Sequence, residues 1–189
     1  MKTLTTHPCA SVVARLFAEA DESNARLDAQ RRASPSSERA KLMTSTENYR
    51  SLYEGLKDFH LAVSRETAKL LYMLARSSRA RNIVEFGTSF GVSTLHLAAA
   101  LRDNGGGRLI GTEFEPKKVA QARANIAEAG LGDLAEIRAG DALETLAADL
   151  PETIDIVLLD GAKGLYPKVL SLLEPRLRSG GLVVADNAD

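Results

Sequence analysis

Cysteine is nearly absent from this sequence: Cys9 stands alone among 189 residues. No internal disulfide can form, and an isolated thiol fits a reducing, cytoplasmic setting. Proline is scarce too, at 6 residues, which argues against a fibrous or disordered chain. Neither sign of charge dominates. The net charge is -1 and the basic residues are scattered, so the electrostatic footprint of a nucleic-acid or anionic-membrane binder is missing. Long apolar runs are missing as well. The opening MKTLTTHPCASVVARLFAEA holds one short apolar stretch, broken by Arg15 and Glu19, which suits neither a signal peptide nor a membrane span. There is no internal repeat. What remains is one globular domain, 44% hydrophobic and long enough to bury a sizeable core, with a small molecule as its expected partner.

The first third of the chain reads as helical. Val12, Leu16, Phe17 and Leu27 recur at helical spacing between about Ser11 and Ala29 and predict one amphipathic helix. The stretch RRASPSSERAKLMTSTENYR, with its Ser, Thr, charge and Pro35, predicts a loop or mobile cover. A second helix is expected over Tyr49 to His60, and a third from Ser64 as N-cap through Leu70, Leu71 and Leu74.

From Asn82 the texture changes. Five short β-branched or apolar runs, NIVEFG, RLIGTE, AEIRAG, IDIVLLD and GLVVAD, alternate with the helical patterns VSTLHLAAAL, PKKVAQARANIAEAG, DALETLAADL and YPKVLSLLEPRLRS. Pro116 opens one of these helices and Gly130 caps its end. Strands separated by helices predict right-handed crossovers and a parallel, doubly wound α/β sheet. In such sheets ligands bind beyond the carboxyl ends of the strands, where these runs carry their acids and glycines.

Gly87 and Gly91 in EFGTSFGVST let the backbone turn tightly after the first strand, and Ser93 and Thr94 open a helix whose amino end favours negative charge. The dinucleotide pattern G-x-G-x-x-G is absent. Glu113 closes the second strand, where a carboxylate can accept both hydroxyls of an adenosine ribose; a solvated turn acid is the plainer alternative. Glu85 lies in an otherwise apolar strand and needs a partner such as an ammonium group or a local backbone donor. S-adenosylmethionine offers an ammonium and a sulfonium, whereas two acids would repel the pyrophosphate of NAD. Asp160, Asp186 and Asn187 close the fourth and fifth strands. Two carboxylates and an amide carbonyl are hard oxygen ligands suited to Mg²⁺ or another divalent cation, although strand-end acids also serve as ordinary caps. Lys163 follows Asp160 by three residues. His7, His60 and His96 read as surface or packing residues rather than ligands.

Taken in this order, the run from Val63 to Asn187 resembles the cation-dependent O-methyltransferases, the group that includes catechol and caffeoyl-CoA O-methyltransferases. The resemblance implies a Rossmann-like S-adenosylmethionine-binding core over 63–189, preceded by an N-terminal helical cover and substrate or dimer region over 1–62. HLAVSRETAKLL is similar to a donor-contacting segment, which implicates Val63. EFGTSFGVST implicates Glu85, Gly87, Thr88 and Ser93; TEFEP implicates Glu113 for the ribose; AGDALE implicates Asp141 and Ala142 beside the adenine. Asp160, Asp186 and Asn187 fall on the family's metal ligands, Asp160 also bordering the donor, and Lys163 falls on its catalytic lysine. The implied reaction is methyl transfer to one of two vicinal oxygens of a catechol-like acceptor.

Gly161 and Ala162 are smaller than the residues common there in the family, which predicts room for a large or differently held acceptor. The family sheet usually continues past the Asp-Asn pair for two more strands, which predicts an open edge on GLVVAD and a homodimer or a longer parent chain. The competing readings are a non-catalytic S-adenosylmethionine-binding protein, a metal-independent methyltransferase and, more distantly, a nicotinamide-dependent dehydrogenase.

Overall fold

A computed structural model describes residues 2–32 and 54–187. Helix α1, Cys9–Arg32, turns Cys9, Val12, Leu16, Phe17, Ala20 and Leu27 inward, the one-sided spacing that the sequence predicts. The predicted loop lies outside the described residues almost entirely, and so does the first part of the helix expected over Tyr49 to His60. Of that helix, Glu54 and Gly55 are helical and a turn follows. Helix α2, Arg65–Ser77, begins where its cap predicts: Ser64 Oγ accepts the Thr67 amide at 3.0 Å. Ala68, Leu71, Tyr72 and Ala75 form its buried stripe.

The rest alternates strand and helix: β1 Asn82–Phe86, α3 Val92–Asp103, β2 Arg108–Glu113, α4 Pro116–Glu128, β3 Ala135–Ala139, α5 Ala142–Thr145, β4 Ile154–Leu159, α6 Tyr166–Leu173 and β5 Leu177–Ala185. The sheet order is β3-β2-β1-β4-β5 and every pairing is parallel. Both faces are covered. Ile83, Ile156 and Leu158 pack into the cluster that holds α1 to α4, while Val84, Val157 and Leu159 face the cluster beneath α5 and α6. Burial on both sides is why the strands read as continuous apolar runs. Helix α3 is buried from Val92 through Leu101, which accounts for a sequence apolar on all sides.

The last helix differs from expectation. The pattern YPKVLSLLEPRLRS predicts one helix, but α6 stops at Leu173, a 3₁₀ turn takes Glu174–Arg176, and Leu177 already pairs with Ile154 in β5. Pro175 explains the stop, because its ring lacks an N–H and clashes with the preceding turn. The register then jumps, so that Ile156 faces Leu182, and the intervening residues bulge around Gly180 at φ +72°. Among the described residues β5 pairs on one side only.

The chain order reverses between β1 and β4, and the exits of these strands lie together. The Asp160 amide donates to Phe86 O at 2.8 Å, and a Cβ on Gly87, which adopts φ +98°, would fall 2.6 Å from Asp160 O. A glycine is needed there for the crevice to close.

Candidate functional site

The acid inside β1 organises the turn. Glu85 is fully buried and accepts three hydroxyl hydrogen bonds: Thr88 Oγ1 at 2.9 Å, Ser93 Oγ at 2.6 Å and Thr94 Oγ1 at 2.5 Å. Burial pushes its carboxyl above the usual range, and the three hydroxyls oppose that. Where the sequence predicts an ammonium group or a local backbone donor, side-chain hydroxyls of the loop and the first turn of α3 answer the acid instead. The network fixes β2 as well, since a Cβ on Gly111 would lie 2.4 Å from Thr88 Oγ1.

Beyond this turn opens the main cavity, lined by Gly87, Ser89, Glu113, Lys118, Asp141, Ala142, Asp160 and Gly161 among others. Glu113 enters it already oriented: Oε2 accepts the Ser89 amide at 2.8 Å and Oε1 the Glu115 amide at 2.9 Å. Ser89 reaches this position through a left-handed backbone, φ +49°, which is costly for a residue other than glycine and concentrates at functional sites. Each carboxylate oxygen retains a further lone pair for a ligand. Asp141 forms the opposite wall as N-cap of α5, accepting the Leu143 amide at 2.9 Å.

The far rim carries charge. Burial first, and the neighbouring Asp186 second, push the Asp160 carboxyl up to about 8. Lys163 Nζ lies 3.9 Å from Asp160 Oδ1 and donates to Tyr166 Oη and to Asp186 O, both at 2.9 Å. The Tyr166 hydroxyl also donates to Asp186 O at 2.9 Å. Asn187 adopts φ +50°, and its amide donates to the Asp186 carboxylate. The exits of β4 and β5 therefore bring Asp160, Lys163, Asp186 and Asn187 to one corner. Among the described residues no group of three or more His, Cys, Asp or Glu side chains converges as a metal cluster; this corner offers two carboxylates and one amide.

The structure thus gathers Gly87, Glu113, Asp141, Ala142 and Asp160 around the main cavity. Thr88 and Ser93 line a smaller neighbour, Glu85 lies beneath both, and Val63 is buried in the core cluster of α1 to α4. The small size of Gly161 does not enlarge the acceptor side: the Phe86 ring fills the space, 2.4 Å from where a Cβ would stand.

Lys118, which lines the main cavity, and Tyr166, beside Lys163, carry no role in the sequence analysis. Lys118 is only 3% exposed, its ammonium 5.5 Å from the Phe90 ring centroid, and burial lowers its pKa. In the sequence it is one of two lysines in an ordinary first turn. Tyr166, three residues after Lys163 on a helical path, carried a spacing signal that would have found it. His96 is the packing residue expected, its Nδ1 2.8 Å from Val92 O and its ring edge-on to Phe17.

Comparison with known proteins adds to this geometry. Residues 84–188 match a family described as a methyltransferase domain. The chain is 38% identical over 130 residues to a catechol O-methyltransferase of Niastella koreensis, covering 67% of this chain and 58% of that protein. Among solved structures, it is similar to an O-methyltransferase from Bacillus cereus in complex with SAH, with TM-score 0.63 and 35% identity over 67% of this chain and 58% of the other. It is also similar to an O-methyltransferase of Streptomyces achromogenes involved in tomaymycin synthesis, in complex with SAM, with TM-score 0.62 and 38% identity over 67% and 57%. The chain therefore spans less than two thirds of the length of each of these relatives.

Proposed function

Since the chain belongs to the class I S-adenosylmethionine O-methyltransferase family, we propose that it moves a methyl group from S-adenosylmethionine to an oxygen of a catechol-like or other vicinal-oxygen small molecule, aided by a divalent cation. The observation that carries this reading is the preset Glu113 carboxylate, fixed by the Ser89 and Glu115 amides in the lining of a cavity that Asp160 also borders. Glu113 takes the ribose hydroxyls, Gly87 lets the donor approach the backbone, and Asp141 and Ala142 border the adenine.

Asp160, Asp186 and Asn187 are the residues that would hold the cation. Their chemistry fits one, because they are oxygen donors and burial first, with the neighbouring Asp186 second, pushes the Asp160 carboxyl up to about 8; a divalent charge would favour the ionised form of both carboxyls. Bound there, the cation would lower the pKa of an acceptor hydroxyl. Lys163, held by Tyr166 and Asp186 O, is placed at the same corner to receive or stabilise against the hydroxyl proton. The test is methyl transfer from S-adenosylmethionine to a catechol panel, with and without Mg²⁺ after chelation. Transfer that survives exhaustive chelation removes the cation from the mechanism, and failure to bind S-adenosylhomocysteine removes the donor.

A further inference from the structure

Between β4 and α6 the chain makes a single 3₁₀ turn, Lys163–Leu165, and Tyr166 follows as the first residue of the helix. Side chains three residues apart eclipse one another in a 3₁₀ turn, which brings the lysine and the tyrosine to one face. Lys163 Nζ lies 5.2 Å from the Tyr166 ring centroid and donates to the Tyr166 hydroxyl at 2.9 Å. Asp186 O accepts from both Lys163 Nζ and Tyr166 Oη, each at 2.9 Å. The three polar atoms close a triangle, and two of its corners are anchored from outside. The Asp186 amide donates to Leu159 O at 2.9 Å, which fixes the exit of β5 against that of β4. The Tyr166 ring meets Phe86 edge-on, at 6.2 Å and 76°, and Phe86 fills the space that a side chain on Gly161 would need.

The triangle has a consequence for the amine. A lysine nitrogen is tetrahedral: Cε takes one position, and Tyr166 and Asp186 O take two more through hydrogen bonds. One position is left, a proton in the ammonium form and the lone pair in the neutral amine. Asp160 Oδ1, at 3.9 Å, is too distant to take it by a hydrogen bond. A lysine on its flexible four-carbon stem would otherwise offer that position in many directions. Two fixed acceptors remove the freedom before any acceptor molecule arrives, which is how a positioned group gains its advantage in proton transfer.

We propose that Tyr166 is a positioning residue for Lys163: its hydroxyl, together with Asp186 O, turns the one open position of the lysine nitrogen toward the oxygen that is methylated. This rests on the reading of Lys163 given above as the group that receives or stabilises against the hydroxyl proton. Tyr166 acts through the lysine alone, and its ring, set against Phe86, keeps the hydroxyl in register.

The test is a double-mutant cycle in methyl transfer to the catechol panel, built from Tyr166→Phe, which keeps the ring beside Phe86, and Lys163→Ala. Tyr166→Phe should lower kcat by about tenfold or more, the scale of a lost hydrogen bond to a charged group. Its KM for the acceptor and its affinity for S-adenosylhomocysteine should be unchanged. In the Lys163→Ala background the same substitution should cost nothing further. A loss that persists there undiminished makes the tyrosine a support of the fold and overturns the proposal. An unchanged kcat in Tyr166→Phe, with activity lost in Lys163→Ala, overturns it while the reading of Lys163 stands; full kcat in Lys163→Ala overturns both, and a wild type that transfers no methyl group overturns the function as well. A second readout needs no turnover. Held by two acceptors, the Lys163 ammonium of the wild type should give a side-chain proton–nitrogen NMR signal, assigned by its absence in Lys163→Ala, and Tyr166→Phe should lose it. A signal missing from the wild type, or retained in Tyr166→Phe, shows that the hydroxyl does not hold the amine.

Discussion

Asp155 and Asp160 stand five residues apart at the two ends of β4, and their surroundings push them in opposite directions. At the amino end, burial would raise the Asp155 carboxyl, but the amides of Arg81 and Asn82, at 2.7 and 2.8 Å, and Arg178 Nε at 2.5 Å together hold it below the usual carboxylate range. At the carboxyl end, Asp160 is buried beside Asp186 and is pushed up to about 8. Lys163, 3.9 Å away, is turned toward Tyr166 and Asp186 O. Asp155 sews the starts of β1 and β5 to β4, and its charge is answered within the fold. Asp160 has an acidic neighbour and only a 3.9 Å approach from Lys163, so its ionised form is disfavoured, the kind of perturbation expected of a group that meets a ligand. The donors around an acid, more than its place at a strand end, tell the two roles apart.

The comparison breaks most visibly on removal. Asp155→Ala leaves two backbone amides and a guanidinium without their acceptor, so denaturant unfolding should show a loss of about 3 kcal/mol or more. Affinity for S-adenosylhomocysteine should be retained at temperatures where the variant stays folded. An intact unfolding midpoint would show that the Arg81, Asn82 and Arg178 contacts contribute little. At the other end, Lys163→Ala should lower kcat about a hundredfold, roughly 2.7 kcal/mol of transition-state stabilisation, with little change in the unfolding midpoint. A change confined to KM would make Lys163 a positioning group instead.

The same contrast explains what could be read from the sequence. The strands were legible because both faces of the sheet are buried, leaving apolar runs such as IDIVLLD that end abruptly in an acid. Helix α2 was legible from Ser64, whose cap is a local hydrogen bond. Local signals of this kind also placed Gly87, Glu113 and Asp160 at strand ends. What could not be read depends on residues distant in sequence. Ser23 meets His60 across 37 positions. Gly161 was misread as open space because Phe86, which fills it, belongs to another strand. The helix expected to run through Pro175 was a local error, since proline there already argued for a stop.

A smaller effect is expected where a carboxylate is preset but ligand-facing. Glu113→Gln keeps the shape and one acceptor oxygen while losing the charge, so S-adenosylhomocysteine affinity should fall by about 1–2 kcal/mol. Folding should change less, because the Ser89 and Glu115 amides retain an acceptor of reduced strength. Unchanged affinity on titration would remove Glu113 from the ribose site and with it the main support for the donor reading.

The finest test replaces each β4 acid by its amide and follows stability with pH. Asp155 has a folded pKa below its unfolded value near 3.8, so its stabilisation is present above about pH 4 and lost as pH falls through the folded value. Asp155→Asn keeps an acceptor oxygen and should be less stable than the wild type by about 1 kcal/mol near neutrality, a gap that closes on acidification. Asp160 has a folded pKa of about 8, above its unfolded value of 3.8. Its contribution is therefore present below about pH 4 and lost as pH rises toward 8. Asp160→Asn should gain on the wild type across that interval, the reverse slope. Urea midpoints measured from pH 3 to 8 without added divalent cation would show the two differences running in opposite directions. Parallel slopes would mean that Asp160 is answered by the fold as fully as Asp155, and the distinction drawn between the two ends of β4 would fail.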